Sequence, residues 1–214
     1  MIVIGLTGSI AMGKTTAAGI LRRMGLPVHD ADAAVHRLFR KGGAAVAAVG
    51  QAFPGMVCDG AVDRDALGRQ VFGEPEALLR LEAIVHPMVR ADSDEFLRHC
   101  ARRRAPMAVL DIPLLFEAGR DRDCDAIILV SAPAFLQAQR VLRRRGMTMR
   151  RLAEIRARQM PDREKRRRAD FVVRTGLSRR ETLRQLAGIV KLLRSGYQRR
   201  GRNAPRVKRR NPYA

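Results

Sequence analysis

The chain has no tryptophan, few aromatic residues, three cysteines and two asparagines, and each shortage removes a class of explanation. With Phe and Tyr so sparse, the core of this 214-residue protein must be built from Val, Leu, Ile and Ala. Cys58, Cys100 and Cys124 form neither a C-x-x-C pair nor a zinc-like arrangement with a histidine, which points to a reducing compartment. The asparagines, Asn203 and Asn211, both lie near the C-terminus, so the N-K-x-D signature of guanine recognition is missing. An L-S-G-G-Q segment is also missing, which excludes a transport ATPase. No apolar run reaches the length of a membrane span. Met1 leads straight into a buried-type strand, with no room for a cleavable leader. The expectation is a soluble, cytoplasmic protein without membrane partners.

Acidic residues are scarce only in the C-terminal third. Residues 1–136 hold 16 Lys and Arg against 16 Asp and Glu, whereas residues 137–214 hold 26 against 5, so the whole net charge of +21 arises there. Such a field attracts polyanions. Residues 195–214 carry seven basic and no acidic residues with little to bury, and read as a disordered tail. Interleaved Gly, Pro and Tyr would suit weak, salt-dependent nucleic-acid binding there, and solubility is the plainer account.

Apolar runs alternate with amphipathic stretches. "MIVIGLT", "LPVHDAD", "APMAVLDIPLLF", "DCDAIILVSAP" and "ADFVVRTG" read as five strands, buried on both faces as parallel strands are. "KTTAAGILRRMG" reads as a helix ending at Gly25, residues 33–104 as a largely helical insertion, and residues 134–160 as two Arg-rich helices broken at Gly146. "SRRETLRQLAGIVKLL" closes the pattern, with Ser178 as N-cap and Glu181 completing a capping box. Pro87 after His86 predicts that a helix ends or bends there. The fold class is α/β: three layers around a doubly wound, parallel five-stranded sheet.

The chemistry starts after the first strand. Gly8, Ser9, Ile10, Ala11, Met12, Gly13, Lys14 and Thr15 spell G-x-x-x-x-G-K-[ST], the phosphate-binding loop or P-loop, between a strand and a helix as that motif requires. Backbone N–H groups of the loop and of the helix start, including Thr16, cradle phosphates. Lys14 reaches the β- and γ-phosphates, and the Thr15 hydroxyl takes a place on Mg²⁺. A plain turn needs neither the lysine nor the hydroxyl, so a nucleoside triphosphate is the expected ligand.

Carboxylates cluster at the same sheet edge. Asp30 and Asp32 follow the second strand, where each fits either a helix cap or a group that orients a hydroxyl and takes its proton. Asp111 ends the third strand, where it fits a Mg²⁺-bound water or a turn cap before Pro113. Arg140 and Arg144, four apart on one helix face, suit either charge neutralisation on a transferring phosphoryl group or a solvated basic face.

Taken together, the loop, "DAD", "DRDALGRQVFGEPEALLRLEAIVHPMV", "DIPLLFE" and "RQMPDREKRRRADFVVRTG" resemble the dephospho-coenzyme A kinases, a family of P-loop kinases, over about residues 2–194. That resemblance implies phosphorylation of the ribose 3′-hydroxyl of dephospho-coenzyme A by ATP, giving coenzyme A and ADP in the last step of coenzyme A biosynthesis, with Mg²⁺. It implies a nucleotide-kinase-like core (1–32, 105–134, 161–194), a helical substrate lobe (33–104) and a lid (135–160). Asp32 becomes the catalytic base, with Lys14 and Arg140 beside it, and Arg144 joins the nucleotide site. Arg37, His86, Leu114 and Glu117 become substrate contacts; the family often has Arg where this chain has His36, and Arg37 follows it. The family's loop is also richer in glycine than Ser9, Ala11 and Met12, and Ala11 tolerates a positive φ less well. A monomer or weak homo-oligomer is expected. The other readings are a P-loop kinase for a nucleoside or nucleotide and, more remotely, a basic nucleic-acid-binding protein with a vestigial loop.

Overall fold

In the computed structural model, which describes residues 1–71 and 73–196, the apolar runs become a five-stranded parallel sheet of order β2-β5-β1-β6-β7. Its strands are β1 (Ile2–Thr7), β2 (Val28–Asp30), β5 (Met107–Asp111), β6 (Ala126–Ser131) and β7 (Phe171–Arg174). The tail assigned above to 195–214 lies, from residue 197 onward, outside the described residues.

Period-two alternation divides the interior between the two faces of the sheet. Ile4, Leu6, Val109 and Ile128 face a core shared with α1 (Lys14–Arg23) and α9 (Arg179–Arg194), while Val3, Leu110 and Ile127 face the other. That second core is closed by α2 (Ala31–Phe39), α3 (Val46–Ala52), α4 (Arg64–Val71) and α5 (Pro75–Arg102). Burying one such aliphatic side chain stabilises the fold by about 1.5–3 kcal/mol. The remaining helices are α6 (Ala134–Leu142), α7 (Met149–Arg158) and α8 (Asp162–Arg168). Among the described residues no helix is long and apolar enough to cross a membrane.

Several sequence expectations shift. β2 stops at Asp30, because the Asp30 carboxylate accepts the Ala33 N–H at 3.0 Å and starts α2 immediately, so Asp32 sits in the first helical turn rather than on the strand. Helix α5 does not end at His86: Pro87 lies inside its 28 residues, held where Val85 and Val89 pack into the core on either side. The insertion also contains a short antiparallel pair, β3 (Val57–Cys58) and β4 (Ala61–Val62). Ser178 caps α9 through the Glu181 N–H, but the Glu181 carboxylate turns to Arg184 and Gln185.

β1 is the middle strand, paired in register with β5 on one side and β6 on the other. The loop that leaves it therefore emerges at the carboxyl edge of the sheet, where open α/β folds bind ligands.

Candidate active site

Sterics fix the shape of the loop. A Cβ on Gly8 would lie 2.4 Å from Val130 Cγ2, so only glycine lets the chain pass this close to β6. Gly13, the N-cap of α1, has φ +90°, which turns the chain into the helix and points its first N–H groups at the cleft. Ala11 also adopts a positive φ, +58°, as the sequence warned. Its neighbours hold it there: Thr175 Oγ1 donates to the Met12 carbonyl at 2.6 Å, Met12 is buried, and Arg140 Nη1 donates to the Ala11 carbonyl at 3.4 Å.

The loop floors a cleft of about 750 Å³ that also takes in Thr15, Thr16, Asp32, Arg140 and Arg144. Lys14 Nζ lies 2.8 Å from Asp111 Oδ1 and 3.9 Å from Asp32 Oδ2. Asp111 is 2% exposed and pairs across the sheet with Asp30. Burial pushes its carboxyl up from the ordinary range, the charges of Asp30 and Asp32 add to that, and Lys14 opposes it. Asp30 is taken up as the α2 cap, whereas the Asp32 side chain is 67% exposed.

Asp32, Pro113 and Leu114 form the partition between this cleft and a second, mainly apolar cavity of about 550 Å³. Val35, Phe39, Val85, His86 and Ile112 line the second cavity. A polar cleft suited to a polyphosphate thus meets an apolar cavity suited to an organic acceptor, with an exposed carboxylate at the junction.

Not every expected residue joins them. Arg37 Nη2 binds Asp92 Oδ2 at 2.8 Å, the same oxygen that His29 Nε2 approaches at 2.6 Å, and lines neither cavity. Glu117 lines a third cavity, of about 570 Å³, but its carboxylate accepts the Met160 N–H and ion-pairs at 2.8 Å with the fully buried ammonium of Lys165. His86 and Leu114 line that third cavity as well.

Two glutamines escaped the sequence reading. Gln159 Oε1 accepts the Ile10 N–H at 3.2 Å, and Gln137 Nε2 donates to the Ile10 carbonyl at 2.9 Å, while Arg156 fixes Gln137. Helix α6 and the C-cap of α7 are thereby tied to the N–H and the carbonyl of one loop residue. Only the burial of polar Gln137 could have signalled this, and burial is not written in local sequence.

The site offers hard oxygen donors for a divalent cation: the exposed Thr15 hydroxyl at the head of α1 and the carboxylates of Asp32 and Asp111 around Lys14. Among the described residues no group of three or more His, Cys, Asp or Glu could hold a metal by itself. This donor set fits an ion that arrives with phosphate oxygens and water.

The dephospho-CoA kinase family model matches residues 2–179. The dephospho-CoA kinase of Paramagnetospirillum magneticum is 64% identical over 166 residues, 78% of each chain. That of Rhodospirillum rubrum is 56% identical over 199 residues, 92% of this chain and 94% of the other. Among solved structures, TT1252 from Thermus thermophilus aligns with a TM-score of 0.77 at 37% identity, covering 92% of this chain and 98% of its own.

Proposed function

The chain belongs to the dephospho-CoA kinase family, and we propose that Asp32 joins its two substrates at the wall between the cleft and the apolar cavity. The protein is an ATP-dependent kinase that phosphorylates dephospho-coenzyme A in coenzyme A biosynthesis. ATP lies on the Gly8–Thr15 loop, with its phosphates on the amides at the head of α1 and its terminal phosphorus toward Asp32. The acceptor lies in the apolar cavity with its ribose 3′-hydroxyl against the Asp32 carboxylate, which orients that hydroxyl and takes its proton.

Lys14 leaves Asp111 for the β- and γ-phosphates when nucleotide binds, because a polyphosphate outbids one carboxylate for the ammonium. Arg140, held against the loop by the Thr175 carbonyl at 2.7 Å, faces the charge that spreads over the transferred group. Thr15 and Asp111 would hold Mg²⁺, which would supply charge neutralisation on the phosphate oxygens. Residues 135–160 act as a lid, and the Gln137 and Gln159 bonds to Ile10 set its closed position and keep water from the phosphates.

The observation that carries this reading is the position of Asp32, exposed and shared by both cavities, 3.9 Å from the loop lysine. The test offers dephospho-coenzyme A beside nucleoside monophosphates and follows ADP release. Transfer to dephospho-coenzyme A far above the monophosphates supports the assignment, and preference for a monophosphate overturns it.

A further inference from the structure

Part of the apolar cavity's wall has no role so far. Arg90 on α5 and Arg120, which opens the 3₁₀ helix Arg120–Asp123, both line it. Both bind one carboxylate oxygen: Arg90 Nη2 donates to Asp123 Oδ2 at 3.1 Å and Arg120 Nε donates to the same atom at 2.5 Å. The Arg120 side chain is 10% exposed and Arg90 is 45% exposed. Arg90 follows His86 by four residues, so both project from one face of α5 into the same space.

Two cations thus share one anion in the wall of a cavity whose lining includes Val35, Phe39 and Ile112 and also the acidic residues Asp32 and Glu82. Burial acts to raise the Asp123 carboxyl, but the bonds and charges of Arg120 and Arg90 outweigh it and hold the group below the ordinary range. Asp123 is therefore held as the carboxylate. A guanidinium has five N–H donors in a planar fork, so one bond from each arginine to Asp123 leaves donors on the same fork. An arginine fork matches phosphate oxygens in pairs. Asp123 acts as the positioning residue that keeps both forks aimed at one place.

This inference rests on the acceptor assigned above, whose adenosine is joined to its pantetheine arm through a 5′-diphosphate. We propose that Arg90 and Arg120 bind the acceptor's 5′-diphosphate, anchoring the ribose so that its 3′-hydroxyl meets Asp32, and thereby select against nucleosides that lack the diphosphate.

The test measures kcat/KM of the full-length protein for dephospho-coenzyme A, AMP and adenosine at saturating ATP, in wild type, Arg90→Gln, Arg120→Gln and Arg120→Lys. The expected result is that the preference for dephospho-coenzyme A over adenosine falls on the order of 10- to 100-fold for each Gln variant. AMP loses an intermediate factor, the KM for ATP is unaltered, and Arg120→Lys recovers part of the preference. Arg90→Gln, at the more exposed position, carries the test if thermal unfolding shows that Arg120→Gln does not fold. Equal losses on all three acceptors, or none, overturn the diphosphate site and leave the acceptor assignment standing. A wild-type protein that transfers nothing to dephospho-coenzyme A overturns the assignment and this inference with it.

Discussion

Lys14 and Asp111 are ion-paired at 2.8 Å, with the lysine 15% exposed and the aspartate almost wholly buried, so the loop's cation rests on the carboxylate that ends β5. The pair holds the site ready. The lysine is thereby kept at the floor of the cleft.

Lys14→Ala removes the cation that pairs with Asp111 and that the proposed mechanism places on the ATP phosphates. ATP affinity should fall on the order of 10- to 100-fold, the loss of one charge-assisted bond, as read by isothermal calorimetry with Mg²⁺ present. Unchanged affinity would mean that the lysine serves only Asp111.

Glu117 was expected to touch substrate, yet it neutralises fully buried Lys165. Breaking a buried pair from one side costs about 3–5 kcal/mol. Glu117→Ala should therefore lower the denaturation midpoint sharply while the surviving folded enzyme keeps its KM for dephospho-coenzyme A. A raised KM with normal stability restores the substrate role.

Ala11 bears the loop's positive φ without glycine's freedom. Left-handed backbone at a non-glycine residue costs about 1 kcal/mol or more, and glycine's larger unfolded-state entropy offsets part of the gain. Ala11→Gly should raise stability by up to about 1 kcal/mol, measured by urea unfolding, and Ala11→Val should lower it.

Two carboxylates should give opposite pH slopes. The folded-state pKa of Asp111 is raised, so the folded form holds the proton more tightly and its contribution to stability diminishes as pH rises from the ordinary carboxylate range through the raised value. The Asp123 pKa is lowered, so its contribution is present above the ordinary range and is lost as pH falls through the lowered value. Urea midpoints across acid pH should rise with pH less steeply for Asp123→Asn than for wild type, and more steeply for Asp111→Asn. Parallel profiles would contradict both assignments.

The sheet and the loop were legible because their signals are local. Continuous apolar runs mark buried strands, and the motif from Gly8 to Thr15 states its own chemistry between one strand and one helix. Helix α8 was not legible: "DREKRRR" has no apolar residue to show a period, and its buried member is Lys165. The β3–β4 pair is two residues on each side, too short for an alternation to appear. Asp32 was placed at the right sheet edge but on the wrong element, because the capping bond from Asp30 starts the helix two residues early. The glutamine ties at Ile10 and the arginine pair on Asp123 join segments far apart in the chain, so only the folded topology assembles them.

The central claim is that Asp32 activates the acceptor and does not hold the donor. Single-turnover phosphoryl transfer to dephospho-coenzyme A by Asp32→Asn, with ATP saturating and its affinity measured on the same sample, tests it most directly. The predicted result is a transfer rate lowered by about 10²- to 10⁴-fold with ATP affinity at the wild-type level. Transfer at the wild-type rate, or an ATP affinity that falls in step with the rate, would contradict it.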